Sequence, residues 1–143
     1  MFRLSGKAKV GRKPADVSAF LADVANEPKW QKEIIHVQLT AGIAGTPGAK
    51  HERVQVVGGR NIKTVNELTE HVPGERVVYR AAGKVIEYTL EYVVTGSGPS
   101  SDVEMKFEGE MLGFAGMFEG IAADELRGAI QGNFERLAKI LDG

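Results

Sequence analysis

Three residues in one short stretch carry the most chemistry in this chain. His51, Arg53 and Gln55 alternate, so in a β-strand their side chains share one face. An imidazole, a guanidinium and an amide on one surface can hold a carboxylate or enolate-like oxygen, and the imidazole can exchange protons near neutral pH. That reading needs the face to be concave. If the face is convex, the same residues form a solvated sheet surface. The intervening positions, Lys50, Glu52, Val54 and Val56, are half charged and leave the parity open. Tyr79, Tyr88 and Tyr92 add three hydroxyls, each of which needs a hydrogen-bond partner once buried. Tyr88 therefore joins His51 and Arg53 as a candidate for proton transfer. Asn133 lies among apolar residues at helical spacing, where an amide is costly unless it is bonded to protein, water or ligand.

Other chemistry is not encoded in recognisable form. The chain contains no cysteine, which excludes disulfides, thiolate catalysis and cysteine-based metal sites. His36 and His71 stand alone near strand ends and read as surface residues. No His, Asp or Glu pair has metal-ligand spacing on one helix face, and no CxxC or HExxH pattern occurs. Ser5, Ser18, Ser97, Ser100 and Ser101 fall mostly in turns, without the context of a nucleophile elbow. Glu67 and Glu70, three apart in a strand, are expected on opposite faces, which argues against a paired-carboxylate device. No metal or cofactor is expected. The net charge of −1 gives no field that favours nucleic acid or anionic lipid. A basic start, Arg3, Lys7, Lys9, Arg12 and Lys13, reads as a solvated edge strand. No apolar run approaches the roughly 20 residues of a membrane span, so stable insertion is not expected, and a cysteine-free chain without the core of a signal peptide fits the cytoplasm.

The elements that must position these residues follow from periodicity. Residues 2–10 alternate as a first strand. Pro14 starts a short helix whose stripe is Val17, Phe20, Leu21 and Val24, and Pro28 starts a second that carries Trp30 and ends near Ile34. From residue 35 the period changes to two. Strands are predicted at 36–40, 50–57, 60–71, 75–82, 84–95 and 102–107. Gly58-Gly59 makes a tight hairpin, and GSGPSS at 96–101 is a turn. Phe118 to Leu141 then reads as one long amphipathic helix, with Ala122, Leu126, Ala129, Ile130, Phe134, Leu137 and Leu141 on one arc. Its length and position make it the cover of a seven-stranded, mostly antiparallel sheet.

Several pieces together resemble a known family. A strand, then Pro-Ala-Asp-Val-x-x-Phe-Leu-Ala-Asp-Val, then Asn-Glu-Pro-x-Trp, is similar to the opening of START-like domains of the SRPBCC superfamily. That superfamily includes the polyketide cyclase/dehydrase-like proteins. Gly48 before a strand, Gly59-Arg60 at a hairpin, Glu67-Leu-Thr-Glu70 before Pro73, and the closing helix extend the resemblance over nearly the whole chain. It implies a single domain over residues 1–143 with an α+β helix-grip fold, in which a curved antiparallel sheet wraps round the C-terminal helix and encloses an apolar cavity. The superfamily has no common catalytic residue, so none is carried over, and fold alone licenses no activity.

The expected cavity walls are Tyr79, Tyr88, Tyr92, Met105 and Phe107 from the strands, with Phe118, Ile130, Asn133 and Phe134 from the helix. Residues 109–121 carry Phe114 and Met117 among four glycines and read either as a hinged lid over the cavity or as a loop buried beneath the helix start. Trp30 packs at the sheet rim or lines the entrance. Gly128 and Gly132, four apart on the polar side of the helix, read as tolerated surface glycines or as a close-approach face. The expected function is binding or carrying a hydrophobic, lipid-like or aromatic small molecule, by a monomer or homodimer. Two alternatives stand beside it: a cofactor-free polyketide cyclase/dehydratase-type enzyme, and an accessory protein-interaction subunit. Whether any reaction is catalysed stays open at this stage.

Overall fold

Alternating apolar residues build seven strands among the described residues of the computed structural model, which are 1–96 and 98–142. They are β1 (Phe2–Val10), β2 (Ile34–Ala41), β3 (Lys50–Val57), β4 (Arg60–Val72), β5 (Arg76–Gly83), β6 (Ile86–Thr95) and β7 (Ser101–Met111). Ser97, assigned to a turn on sequence grounds, lies outside the described residues. The strands form one sheet in the order β1-β7-β6-β5-β4-β3-β2, and all six pairings are antiparallel. Hairpins link β2 through β7 in succession, and β1 returns beside β7. Gly58 and Gly59 both have positive φ, 61° and 75°, as a two-residue hairpin of mirror-image turn type demands.

Between β1 and β2 lie α1 (Pro14–Ala22), a 3-10 turn (Val24–Asn26) and α2 (Glu27–Trp30). The second helix is a single turn and stops at Trp30, short of the expected end near Ile34, because Gln31 is already extended. After β7 a 3-10 turn (Gly113–Phe118) leads into α3 (Glu119–Asp142), 24 residues long. α3 crosses the concave face and packs most closely on β1. There Gly6 removes a side chain: a Cβ at this position would sit 2.6 Å from Ile130 Cγ2 and also overlap the Phe134 ring.

Bulges bend the sheet around the helix. β2 slips register against β3 at Ile34/His36 and again at Leu39/Ala41, and β4 slips against β5 at Leu68/Glu70, each adding local twist and curvature. The third bulge corrects one expectation. The extra residue at Thr69 puts Glu70 opposite Val78, so Glu67 and Glu70 share the outer face. Glu67 faces Lys50 there, while Glu70 meets Arg76, which also binds Glu91 at 2.6 Å. The acids remain surface ion-pair partners. On β1 the basic residues also point outward, opposite Asp102, Glu104 and Glu108 of β7.

The core between α3 and the sheet contains Leu4, Leu68, Val77, Leu90, Val103, Leu126, Phe134 and Leu137. Trp30 belongs to it too. It is buried between Tyr92 and Phe134, with ring centroids at 6.0 and 5.4 Å, well inside the rim that the sequence suggested.

Candidate functional site

The inner face of β3 is the polar one. His51, Arg53 and Gln55 all point inward and are buried, so the concave alternative holds. What gathers them is a residue that sequence reasoning left out. Glu27 opens α2, and at a spacing of three it shares a helix face with Trp30. Because Trp30 must be buried, α2 turns that face inward and takes Glu27 with it. The Glu27 carboxylate then lies 3.1 Å from Arg53 Nη1 and 2.9 Å from His51 Nε2, with all three side chains at most 5% exposed. The contact to His51 is close but poorly aligned for a directed hydrogen bond, and neither Glu27 Oε1 nor His51 Nε2 has a hydrogen-bond partner.

The network continues outward from Arg53. Its Nη2 donates to Gln31 Oε1 at 3.2 Å, and Gln31 Nε2 donates to the Tyr92 hydroxyl at 3.4 Å. The guanidinium also lies 5.6 Å over the Tyr88 ring, a cation–π distance. Tyr88 in turn donates to Asn66 Oδ1 at 2.7 Å, and Asn66 donates to Thr64. Tyr79 donates to the Leu21 carbonyl at 2.8 Å. The three tyrosine hydroxyls thus all find partners within the protein. Two polar atoms in the cluster's centre do not: His51 Nδ1 and Arg53 Nε.

The electrostatics follow from burial set against charge. Burial alone would raise the Glu27 carboxyl, but the Arg53 charge and the His51 contact outweigh it and hold it below the usual carboxylate range. Burial works against the Arg53 charge as well, yet its pKa is raised, and the ionised Glu27 carboxylate beside it keeps the guanidinium protonated. Tyr79, Tyr88 and Tyr92 are pushed up, chiefly by burial, so they stay neutral hydroxyls in physiological solution.

Beside this cluster, between sheet and helix, lies a void of about 40 Å³ lined by Arg53, Gln31, Gln55, Leu126, Ile130 and Asn133 among others. It has room for a water molecule or two, not for a ligand. The expected wall of Tyr79, Tyr88, Tyr92, Met105, Phe107, Ile130 and Phe134 is therefore mostly packed core: Phe107 stacks on Tyr88 at 4.8 Å, and Phe134 packs tilted against Trp30. Asn133 is also committed. Its amide donates to both Glu33 carboxylate oxygens at 3.0 and 2.9 Å, and its oxygen accepts from Lys32 N and Arg136. It pins α3 to the segment between α2 and β2.

The ligand-sized space lies at the open end of the grip. A pocket of about 540 Å³ is bounded by the β3–β4 hairpin (Val57, Arg60, Ile62), the β5–β6 turn (Val85), Met111, the turn before α3 (Phe114, Ala115, Phe118) and the start of α3 (Ile121, Ala122, Glu125). Its volume falls in the range of small-molecule sites, about 300–1,000 Å³. The hollow on the outer sheet face is larger, about 750 Å³, but is lined by Lys50, Glu67, Arg80, Glu87 and Glu108, a charged surface rather than a binding cleft. The turn before α3 is not the buried loop that was one expectation. Phe114, Met117, Phe118 and Ile121 are 89, 78, 58 and 67% exposed. Met111 N binds Glu119 and Leu112 N binds the Val85 carbonyl, so both ends of this wall are tied down.

Other expectations resolve more simply. His36 is exposed. His71 is half-buried, with Nδ1 2.8 Å from the Gly45 carbonyl and Nε2 3.4 Å from Ser18 Oγ, so it braces a loop instead of facing solvent. Gly128 has open space around it. Among the described residues no cluster of His, Cys, Asp or Glu could hold a metal ion, and no helix is long and apolar enough to cross a membrane.

A family model described as polyketide cyclase / dehydrase and lipid transport matches residues 1–142. The chain belongs to this family. Its fold is the helix-grip fold of solved START-like proteins. A START superfamily protein from Mycobacterium smegmatis is 14% identical, with a TM-score of 0.70 over 94% of this chain and 98% of that one. A protein from Thermus thermophilus is 16% identical, with a TM-score of 0.74 over 97% and 99%. The di-domain ARO/CYC BexL of the BE-7585A biosynthetic pathway is 15% identical, with a TM-score of 0.70 over 97% of this chain and 46% of its own. At such identities these polyketide cyclase and START relatives speak to the fold alone. No curated protein matches the sequence.

Proposed function

We propose that this protein binds a hydrophobic small molecule at the open end of the grip, with the apolar body in the mouth pocket and an oxygen-bearing end directed toward Arg53. The observation that carries this reading is the apolar lining of the 540 Å³ pocket beside an exposed aromatic turn. Soluble domains rarely leave contiguous apolar surface uncovered without a use for it. The pocket and the interior cluster lie on one line. Val57, Gln55 and Arg53 are successive inward positions of β3, about 13 Å from first to last at strand rise, and Ala122, Leu126 and Ile130 match them along α3. A ligand reaching Arg53 displaces Gln55 and Leu126 and opens the small void. Such a carrier would work in the cytoplasm, as a monomer or homodimer.

Native mass spectrometry of freshly purified protein, together with titration of the uncharged dye Nile red, tests this. A co-purified small molecule, or saturable dye binding at one site, is the expected result. No adduct and no saturable dye binding overturn the reading.

A second reading has its own observation. Two titratable side chains, Glu27 and His51, converge within 2.9 Å inside the fold beside a guanidinium, more than a simple carrier needs. In a cofactor-free cyclase or dehydratase, His51 would accept a proton from carbon next to a carbonyl, and Arg53 would stabilise the enolate oxygen. Turnover of a poly-β-ketone substrate that is lost in His51→Gln would select this reading.

A further inference from the structure

The interior cluster carries a charge balance that constrains what can enter it, given the binding reading above. Arg53 contributes one positive charge, and Glu27, held ionised at 3.1 Å, cancels it. Glu33 reaches the same void from the other side but is only half-buried, with its carboxylate held by the Asn133 amide. The donor left without a partner is Arg53 Nε, and the remaining unpartnered nitrogen away from Glu27 is His51 Nδ1. The titratable groups in contact with His51 are Glu27 from α2 at 2.9 Å and Tyr79 from β5 in edge contact at 5.7 Å; Arg53 follows on the same face of its strand, with Tyr88 against the guanidinium and Tyr92 reached through Gln31. On β4 its register partner is the uncharged Asn66.

An uncharged carbonyl oxygen can take the free Arg53 donor and leave the balance unchanged. An anionic head cannot, because it would leave a surplus negative charge in a site shut off from water, where unpaired charge is most costly. The cluster holds one means of correcting this. A proton added to His51 gives an imidazolium with one N–H toward Glu27 and the other, at Nδ1, lacking any acceptor in the protein. An anionic ligand brings that acceptor.

We infer that the Glu27–His51–Arg53 cluster is a head-group site that accepts an uncharged oxygen directly and an anion only together with a proton on His51. Ligand charge and proton uptake are thus coupled at a position about 13 Å from the pocket mouth, from the rise of a strand.

Calorimetric titration of the wild-type protein with two probes of one chain length tests this. Decyl methyl ketone is uncharged, and decyl sulfonate carries a charge that does not titrate, so any proton taken up must go to the protein. Measured in two buffers of different ionisation heat, binding of the sulfonate takes up about one proton, and its Kd rises with pH. The ketone takes up none, and its Kd stays level. In His51→Gln the proton uptake that accompanies sulfonate binding is lost. The wild-type proton count stands even if that variant fails to fold. Sulfonate binding without proton uptake, uptake that persists in a folded His51→Gln, or a sulfonate that fails to bind even at about pH 5.5 while the ketone binds would each overturn the inference and leave the binding reading intact. If neither probe binds, the binding reading itself falls and takes this inference with it.

Discussion

The carboxylate of Glu27 and the guanidinium of Arg53 meet at 3.1 Å in the middle of the fold, each side chain 5% exposed. One comes from a four-residue helix and the other from the middle of a strand, 26 positions later in the chain. The pair fixes where α2 sits against the sheet, and it sets the charge that the rest of the interior must answer.

Removing one member leaves the other charge buried without compensation. Glu27→Gln is expected to destabilise the protein by about 3–5 kcal/mol in chemical denaturation. The double variant Glu27→Gln with Arg53→Met is expected to lose less than Glu27→Gln alone, because an apolar side chain replaces the orphaned cation. Equal or greater loss in the double variant would show that the pair is not what holds α2 in place.

The same pair predicts an acid limb. Glu27 titrates below its ordinary value near 4.5 in the folded state, so the unfolded chain takes up the proton first as pH falls. Its contribution is complete above about 4.5 and disappears as pH drops through the lower folded-state value. Thermal unfolding followed from neutral to acid pH should show a flat plateau and then a decline below that point, and Glu27→Gln should shrink the decline. A wild-type decline already under way near neutrality would contradict this account.

Filling the mouth should separate binding from folding. Ala115, half-buried on the turn before α3, lines the 540 Å³ pocket, so Ala115→Phe places a ring in existing space. Nile red affinity is expected to fall at least about tenfold, the equivalent of 1.4 kcal/mol, with little change in the denaturation midpoint. Unchanged dye affinity in a folded variant would move the ligand site elsewhere.

Asn133 works in the opposite way. Because its amide is used on Glu33, Lys32 and Arg136, Asn133→Ala is expected to cost about 1–3 kcal/mol of stability and to leave dye affinity in the mouth pocket unaltered. A selective loss of binding would make it a ligand contact after all.

At Gly6 the helix lies directly on the strand, and an added methyl meets Ile130 and Phe134. Gly6→Ala is expected to destabilise by about 1–3 kcal/mol through overpacking. Gly128→Ala, with open space around it, is expected to stabilise α3 by up to about 1 kcal/mol. Thermal melts of the two variants, moving in opposite directions, check both.

Strand alternation, the Gly58-Gly59 hairpin and the apolar arc of α3 were legible because they are local. A period of two or of 3.6 shows in a dozen residues. The bulge at Leu68/Glu70 was not legible, and it reversed the facing of Glu70, since one extra residue flips every later side chain. Glu27 was missed although its spacing to Trp30 carried the signal. A glutamate on a short helix reads as solvated unless the burial of its neighbour is followed round the helix face.

By itself, then, the sequence determined seven strands closed by one long C-terminal helix and the set of side chains that alternate toward one side of β3, because short-range periodicity encodes both, while the helix-grip arrangement of those elements followed from the family resemblance. Only the tertiary structure decided that this side is the inside, that Glu27 neutralises Arg53 there, and that ligand-sized space lies at the mouth and not under the tyrosines. The physical reason is that facing, charge balance and free volume depend on how curved elements close on one another. A bulge, a one-turn helix and a glycine under α3 set that closure through contacts between residues far apart in the chain.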